Sequence, residues 1–217
     1  MRALGLPRDP TRPLRVLCLG AHCDDIEIGC GATLLRLCQE RLGTSFRWVI
    51  FASTEERARE ARGSAEDFLE GASESEIALE SFRESYFPWV GAEIKDRFEA
   101  LKTAQAPDLV LTHRGKDAHQ DHRLISQLTW NSFRDHLILE YEIPKYDGDL
   151  GRPNCYVPCS QAQAERKVEL LLRHYRSQAK RSWFTADTFL ALLRLRGVEC
   201  NAPEGYAEAF HAHKLLL

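Results

Sequence analysis

The chain has 217 residues, enough to bury a sizeable core, and no linker is visible that would divide it into two domains. Hydrophobic residues at 44% and charged residues at 28% exclude a fibrous or disordered chain. A net charge of −3 with both signs interspersed excludes a general nucleic-acid binder, which carries a basic excess or stripe.

Residues 1–13, interrupted by Pro7, Pro10 and Pro13 and lacking an apolar run, read as a flexible leader and not as a secretory signal. "LRVLCLG" (14–20) is a short β-prone run, and "CGATLLRLCQERLG" after the next loop has helical spacing with Gly43 as its stop. "SFRWVIFAS" reads as a second strand, and "TEERAREARGSAEDFLEGA" as a helix capped by Thr54. A weaker strand is expected around "FRESYF" (82–87), followed by a helix from about Ala92 to Ala104, and Pro107 introduces the buried-type strand "DLVLTH". A helix over about Gln120–Arg134 and a fifth strand, "LILEYEI", come next. "PKYDGDLGRPN" then makes a loop long enough to be functional. Helices over about Gln161–Arg176 and Thr185–Arg196 and a terminal strand-like piece, "YAEAFHAHKL", complete the chain.

This alternation predicts an α/β fold, a three-layer sandwich around a mostly parallel sheet of order about 3-2-1-4-5. It is expected to form one domain over residues 1–217, with about 144–217 as its C-terminal, substrate-side region. In that order strands one and four are neighbours, and the topological switch lies between their carboxyl ends. The loops after those two strands, "AHCDDIEIGCG" and "RGKDAHQDH", are also the segments richest in metal-ligand residue types.

Catalytic zinc commonly takes three ligands from histidine and carboxylate and leaves a fourth position for water, whose pKa falls towards about 7. His22, Asp25 and His122 supply such an open set. Adjacent carboxylates in an extended turn point in different directions, so Asp25 binds metal while Asp24 faces the water as general base. His119, three residues before His122, is placed to stabilise an oxyanion as an imidazolium, held by Asp121 or Asp117. Aspartates at strand-to-helix turns also cap helices, but a cap needs one aspartate, not paired carboxylates with three histidines.

Other features carry less. His113, His136, His174, His211 and His213 read as surface or satisfied core histidines. Gly29 and Gly31 lack the third glycine of a dinucleotide fingerprint, Leu34 standing in its place. Cys155 and Cys159 have no second pair for a structural zinc, and Cys23 is a minor alternative ligand. Seven cysteines, spread through apolar segments, point to a reduced cytoplasmic setting, and no apolar stretch reaches the roughly 20 residues that span a bilayer.

"AHCDDIEIGCGAT" and "HQDH" resemble the two motifs of the N-acetylglucosaminyl-phosphatidylinositol deacetylase-like family (PIG-L, LmbE-like), A-H-P-D-D and H-x-D-H. The resemblance implies a Rossmann-like fold and a zinc-dependent N-deacetylase, an amidohydrolase acting on a linear amide bond. Metal would be held by His22, Asp25 and His122, with Asp24 as base, His119 stabilising the transition state and Asp121 tuning that histidine. It implies an N-acylated amino-sugar substrate, phosphate- or nucleotide-linked in some members, and allows a homo-oligomer. Cys23 stands where the family has proline and Ile26 where many members have glutamate, a role Glu27 is placed to share. Arg166, Lys167, Arg173, Arg176, Lys180 and Arg181 form a candidate anion-facing cluster beside Trp183 and Phe184, and Arg57 and Glu60 lie near the expected cleft rim.

Two other classes compete. A non-haem iron(II) oxygenase would use His22, Asp24 and His122 and need oxygen, and iron(II) is also the alternative metal for the hydrolase. A non-catalytic sugar-binding module would tolerate Asp24→Asn.

Overall fold

The computed structural model describes residues 13–41, 43–104 and 106–215, so the expected leader, Pro13 apart, lies outside the described residues. The described elements are β1 (Arg15–His22), α1 (Asp25–Glu40), β2 (Ser45–Ala52), α2 (Glu55–Phe68), β3 (Glu74–Leu79), α3 (Gly91–Thr103), β4 (Leu109–His113), α4 (Gln120–Ser132) and β5 (Leu137–Tyr141). They continue with β6 (Cys155–Cys159), α5 (Gln161–His174), α6 (Ala186–Cys200) and β7 (Tyr206–His211). Short 3-10 turns cover Phe87–Trp89 and Arg176–Gln178.

The sheet order is β3-β2-β1-β4-β5-β7-β6, which contains the expected 3-2-1-4-5 run. β1 to β5 pair in parallel, and β7 runs antiparallel to both β5 and β6. Successive strand residues point to opposite faces, and this sorts the core into two layers. Val16, Cys18, Trp48 and Ile50 pack against α1, α2 and α5, whereas Leu17, Leu19, Val49 and Phe51 pack against α3 and α4.

Two expectations are corrected. The third strand is Glu74–Leu79 and not the aromatic stretch around 82–87, because an edge strand paired only with β2 tolerates exposed Glu74, Ser75 and Glu76 and needs no apolar alternation. The chain follows β2 a little further, through Glu80 N donating to Ile50 O at 2.8 Å and Phe82 N to Phe51 O at 3.0 Å, and then turns off. Residues 155–159, read above only as a cysteine pair, form the other edge strand.

α1 breaks at Cys30 (φ −146°, ψ 16°), which frees backbone groups inside the core. Buried Glu208 of β7 accepts Ala32 N at 2.9 Å and Thr33 N at 2.7 Å, and buried Lys167 of α5 donates to Ile28 O and Glu208 Oε1, each at 2.6 Å. The glycines beside the break serve packing: a Cβ on Gly29 would lie 2.2 Å from the Tyr141 ring, and one on Gly31 2.6 Å from that of Phe68.

Candidate metal centre

β1 and β4 are neighbours where the strand order reverses, and both candidate loops leave their carboxyl ends. His22 is the last residue of β1 and Asp25 the first of α1. Between them Asp24 takes a left-handed backbone, φ 92°, costly for a residue with a Cβ. Asp24 makes no side-chain cap to α1. Its Oδ2 instead faces Arg57 Nη2 of α2 at 3.1 Å, and the same guanidinium donates to Cys23 O. Burial pushes the Asp24 carboxyl up to about 8 against the pull of Arg57, with Asp25 and Glu27 adding to the rise.

On the β4 side, His119 is the N-cap of α4, accepting Asp121 N on Nδ1 at 3.2 Å, and His122 points inward from the first turn. His22 Nδ1 lies 3.2 Å from His122 Nε2 and 3.4 Å from Asp25 Oδ2, and His122 Nε2 lies 3.5 Å from the same oxygen. Zinc bonds of roughly 2.0–2.1 Å in a tetrahedron place ligand atoms about 3.3–3.4 Å apart, so this triangle has the edges that zinc requires. The outer nitrogen of each ring donates to a carboxylate, His22 Nε2 to Asp121 Oδ2 and His122 Nδ1 to Asp117 Oδ2, both at 3.0 Å. These contacts fix the tautomers that turn the other nitrogens toward the triangle.

The electrostatics of the triangle suit a cation. Burial lowers the His22 pKa, yet hydrogen bonding to Asp121 and Asp25 more than reverses this and lifts it to about 10. His122 drops to about 3, through burial and the neighbouring His113. One imidazolium proton therefore sits between two rings where a divalent ion would displace it.

Several sequence assignments need correction. Asp121 does not hold His119: its Oδ2 takes His22 Nε2 and, at 2.6 Å, Ser85 N, and its Oδ1 takes Phe87 N at 3.2 Å, while its own N–H occupies His119 Nδ1. Asp117 takes the His122 ring, and from His119 it accepts the backbone N–H. Nor is His119 an imidazolium in the metal-free chain, since burial and the charge on His22 lower its pKa. With Nδ1 accepting, its proton lies on Nε2.

Cys23 Sγ donates to Ala52 O at 3.6 Å, away from the ligands, and burial pushes its thiol up to about 12. Glu27 accepts from Tyr175 OH and touches no ligand, while Ile26 is core. Of the anion-facing cluster, Lys167 is buried on Glu208, Arg166 pairs with Glu169 and Arg173 with Asp67, while Arg176, Lys180 and Arg181 are exposed. Phe184 is core, with Trp183 packed against it. Cys155 and Cys159 stand at opposite ends of a strand, about 13 Å apart at 3.3 Å per residue.

Sequence reasoning missed His113, fully buried at the end of β4. Its Nε2 accepts Ala21 N at 2.9 Å and lies 3.2 Å from Asp25 Oδ2, and its ring stacks on His122 with centroids 3.9 Å apart. The available signal was its position at the carboxyl end of a switch-point strand. Asp25, His113 and His122 make a second group able to hold a metal, overlapping that of His22, His119 and His122.

Solved structures with similar folds include a conserved protein of Thermus thermophilus, 22% identical over 94% of this chain and 96% of that one, TM-score 0.74. N,N'-diacetylchitobiose deacetylase of Pyrococcus horikoshii is 21% identical over 96% of this chain and 88% of that one, TM-score 0.65. The 4-carboxy-2-hydroxymuconate hydratase GalB of Pseudomonas putida is 14% identical over 94% of this chain and 98% of that one, TM-score 0.69. At such identities the likeness establishes the fold and leaves the chemistry to the site. No curated protein matches the chain. The family model described as PIG-L, GlcNAc-PI de-N-acetylase, matches residues 17–133, more than half of the chain and both candidate loops, and the chain belongs to that family.

Proposed function

We propose that this chain is a zinc-dependent N-deacetylase that removes an acyl group, acetyl in the simplest case, from an amino-sugar-containing small molecule. The observation that carries the reading is the triangle of His22 Nδ1, Asp25 Oδ2 and His122 Nε2, whose edges of 3.2, 3.4 and 3.5 Å match a tetrahedral zinc. Membership of the PIG-L family and the shared fold of a chitobiose deacetylase support the substrate class. Zinc bound there supplies a Lewis acid for an amide carbonyl and lowers the pKa of water towards about 7. Iron(II) is the alternative occupant.

The chain's own groups divide the remaining work. Asp24, poised at about 8 and oriented by Arg57, takes a proton from attacking water and returns it to the leaving amine near neutral pH. His119, as a neutral imidazole, donates an Nε2–H hydrogen bond to the developing oxyanion, held in that tautomer at the helix N-terminus. Asp121 and Asp117 aim His22 and His122. Residues 144–217 form the substrate side of the same domain, and Lys145 of that region reaches Asp117. A cytoplasmic location is proposed, and no described helix is long and apolar enough to cross a membrane.

The oxygenase triad fares worse, because Asp24 pairs with Arg57 and Asp25 takes the place beside the imidazoles. An acetate-release screen of zinc-loaded protein against free, nucleotide-linked and lipid-linked N-acetylated sugars tests the reading. Silence across that panel removes the substrate class, and turnover that needs oxygen removes the hydrolase.

A further inference from the structure

The loop after β5 sends one long side chain behind the metal centre. Lys145, with a side chain only 10% exposed, sets its Nζ 3.1 Å from Asp117 Oδ1 and 2.8 Å from each carboxylate oxygen of Asp149. Asp117 Oδ1 also accepts His119 N at 2.7 Å, while Oδ2 accepts His122 Nδ1. Asp149 fastens the arrangement from outside, its Oδ2 accepting Ala118 N and its carbonyl accepting Arg114 Nη1, both at 2.6 Å.

A carboxylate that touches only a ligand ring is free to rotate, and the ring rotates with it. Here one oxygen is pinned by an ammonium and a backbone N–H, which fixes the carboxylate plane and with it the direction of His122 Nε2. Desolvating an ammonium is costly, and an apolar residue would hold two loops together at lower cost. What an apolar residue lacks is the ability to hold Asp117 charged and in one orientation.

We infer that Lys145 is a positioning residue for the metal histidine His122, acting through Asp117. The inference rests on the reading that His22, Asp25 and His122 hold a divalent cation. It predicts that metal affinity depends on a side chain that touches neither the metal nor any of its ligands.

The test is zinc affinity of the full chain, by competition with a chromophoric chelator, for wild type, Lys145→Arg and Lys145→Met. Loss of such an outer partner typically weakens metal binding about 10–100-fold, and that is the expectation for Lys145→Met, with Lys145→Arg recovering most of it. Unchanged affinity in Lys145→Met overturns the inference, as does a lowered melting temperature of the metal-free chain with zinc binding intact, since that pattern belongs to a plain clamp. If Lys145→Met does not fold, Lys145→Gln keeps a donor without the charge. An intermediate loss then supports the inference, and wild-type affinity overturns it. Wild-type protein that binds no zinc removes the metal reading itself, which separates that failure from failure of the lysine alone.

Discussion

Two nests of buried charge meet α1, one at its N-terminus and one at its break, and they differ in balance. Around the candidate metal centre Asp24, Asp25, Asp117, Asp121 and Asp149 face, among the described residues, Arg57 and Lys145 as fixed cations. Behind the α1 break, Lys167 pairs with Glu208 at 2.6 Å and Arg196 meets Glu142 at 2.9 Å, so each buried acid has its own buried base, and Arg196 also reaches the exposed Glu199 at 2.8 Å. Burial is alike in the two places. A nest that neutralises itself is architecture, whereas one that leaves carboxylates over, and lifts His22 to about 10 as a result, is built to receive positive charge.

The sharpest way to break this comparison is to change one carboxyl group in each nest. Asp24→Asn is expected to lower kcat by about 10²–10⁴ with zinc retained, the usual contribution of a general base. Asparagine tolerates a left-handed backbone, so the turn survives and folding stability holds or rises. Steady-state kinetics and metal analysis on one preparation decide it. Full activity in Asp24→Asn removes Asp24 from the role of general base.

Glu208→Gln is the counterpart. It leaves Lys167 as a buried, uncompensated cation, a situation that costs about 3–5 kcal/mol. Urea unfolding should register that loss in its midpoint, while kcat per folded molecule stays at the wild-type value. A variant as stable as wild type contradicts the architectural role.

The two nests were unequally legible in the sequence. The metal loops were readable because buried parallel strands announce themselves as apolar runs, and the topology then fixes which loop ends meet. "HCDD" and "HQDH" needed only that placement. The partners of those residues were not readable, since whether Asp117 or Asp121 serves His22, His119 or His122 depends on a helix start that puts His119 at the cap and turns Asp121 across to β1. His113 escaped because an isolated histidine closing a strand carries no motif. The Lys167–Glu208 nest was misread altogether, Lys167 being counted with a candidate anion-facing cluster. Its partner lies 41 residues away, on a strand whose pairing with α1 no local pattern reveals. β3 was displaced for a related reason, because its apolar residues, Ile77, Ala78 and Leu79, fill only its second half and give no strand-length pattern.

Titration separates the nests further. Zinc must displace the proton on His22, whose pKa is about 10 in the metal-free chain. Apparent zinc affinity should therefore climb about tenfold per pH unit between pH 6 and 8, with roughly one proton released per ion. Calorimetry in buffers of different ionisation enthalpy counts that proton. Affinity that is flat over this range means His22 is already neutral, and the excess of negative charge is then an error.

The balanced nest answers to acid instead, and more weakly. Burial raises the Glu142 pKa, but His211 and Arg196 facing it and the Gly151 N–H outweigh this and hold it below the ordinary glutamate value of 4.5. A carboxylate depressed on folding contributes stability that is complete above its unfolded pKa and is lost as pH falls through the folded one. Wild type should therefore lose stability below pH 4.5 along a steeper slope than Glu142→Gln, which has no proton to gain at that position. Urea midpoints from pH 5 down to pH 3 compare the slopes directly. Equal slopes show that protonating Glu142 costs the fold nothing, and Arg196 is then held chiefly by Glu199, 2.8 Å away, so that the second nest is less self-contained than its geometry indicates.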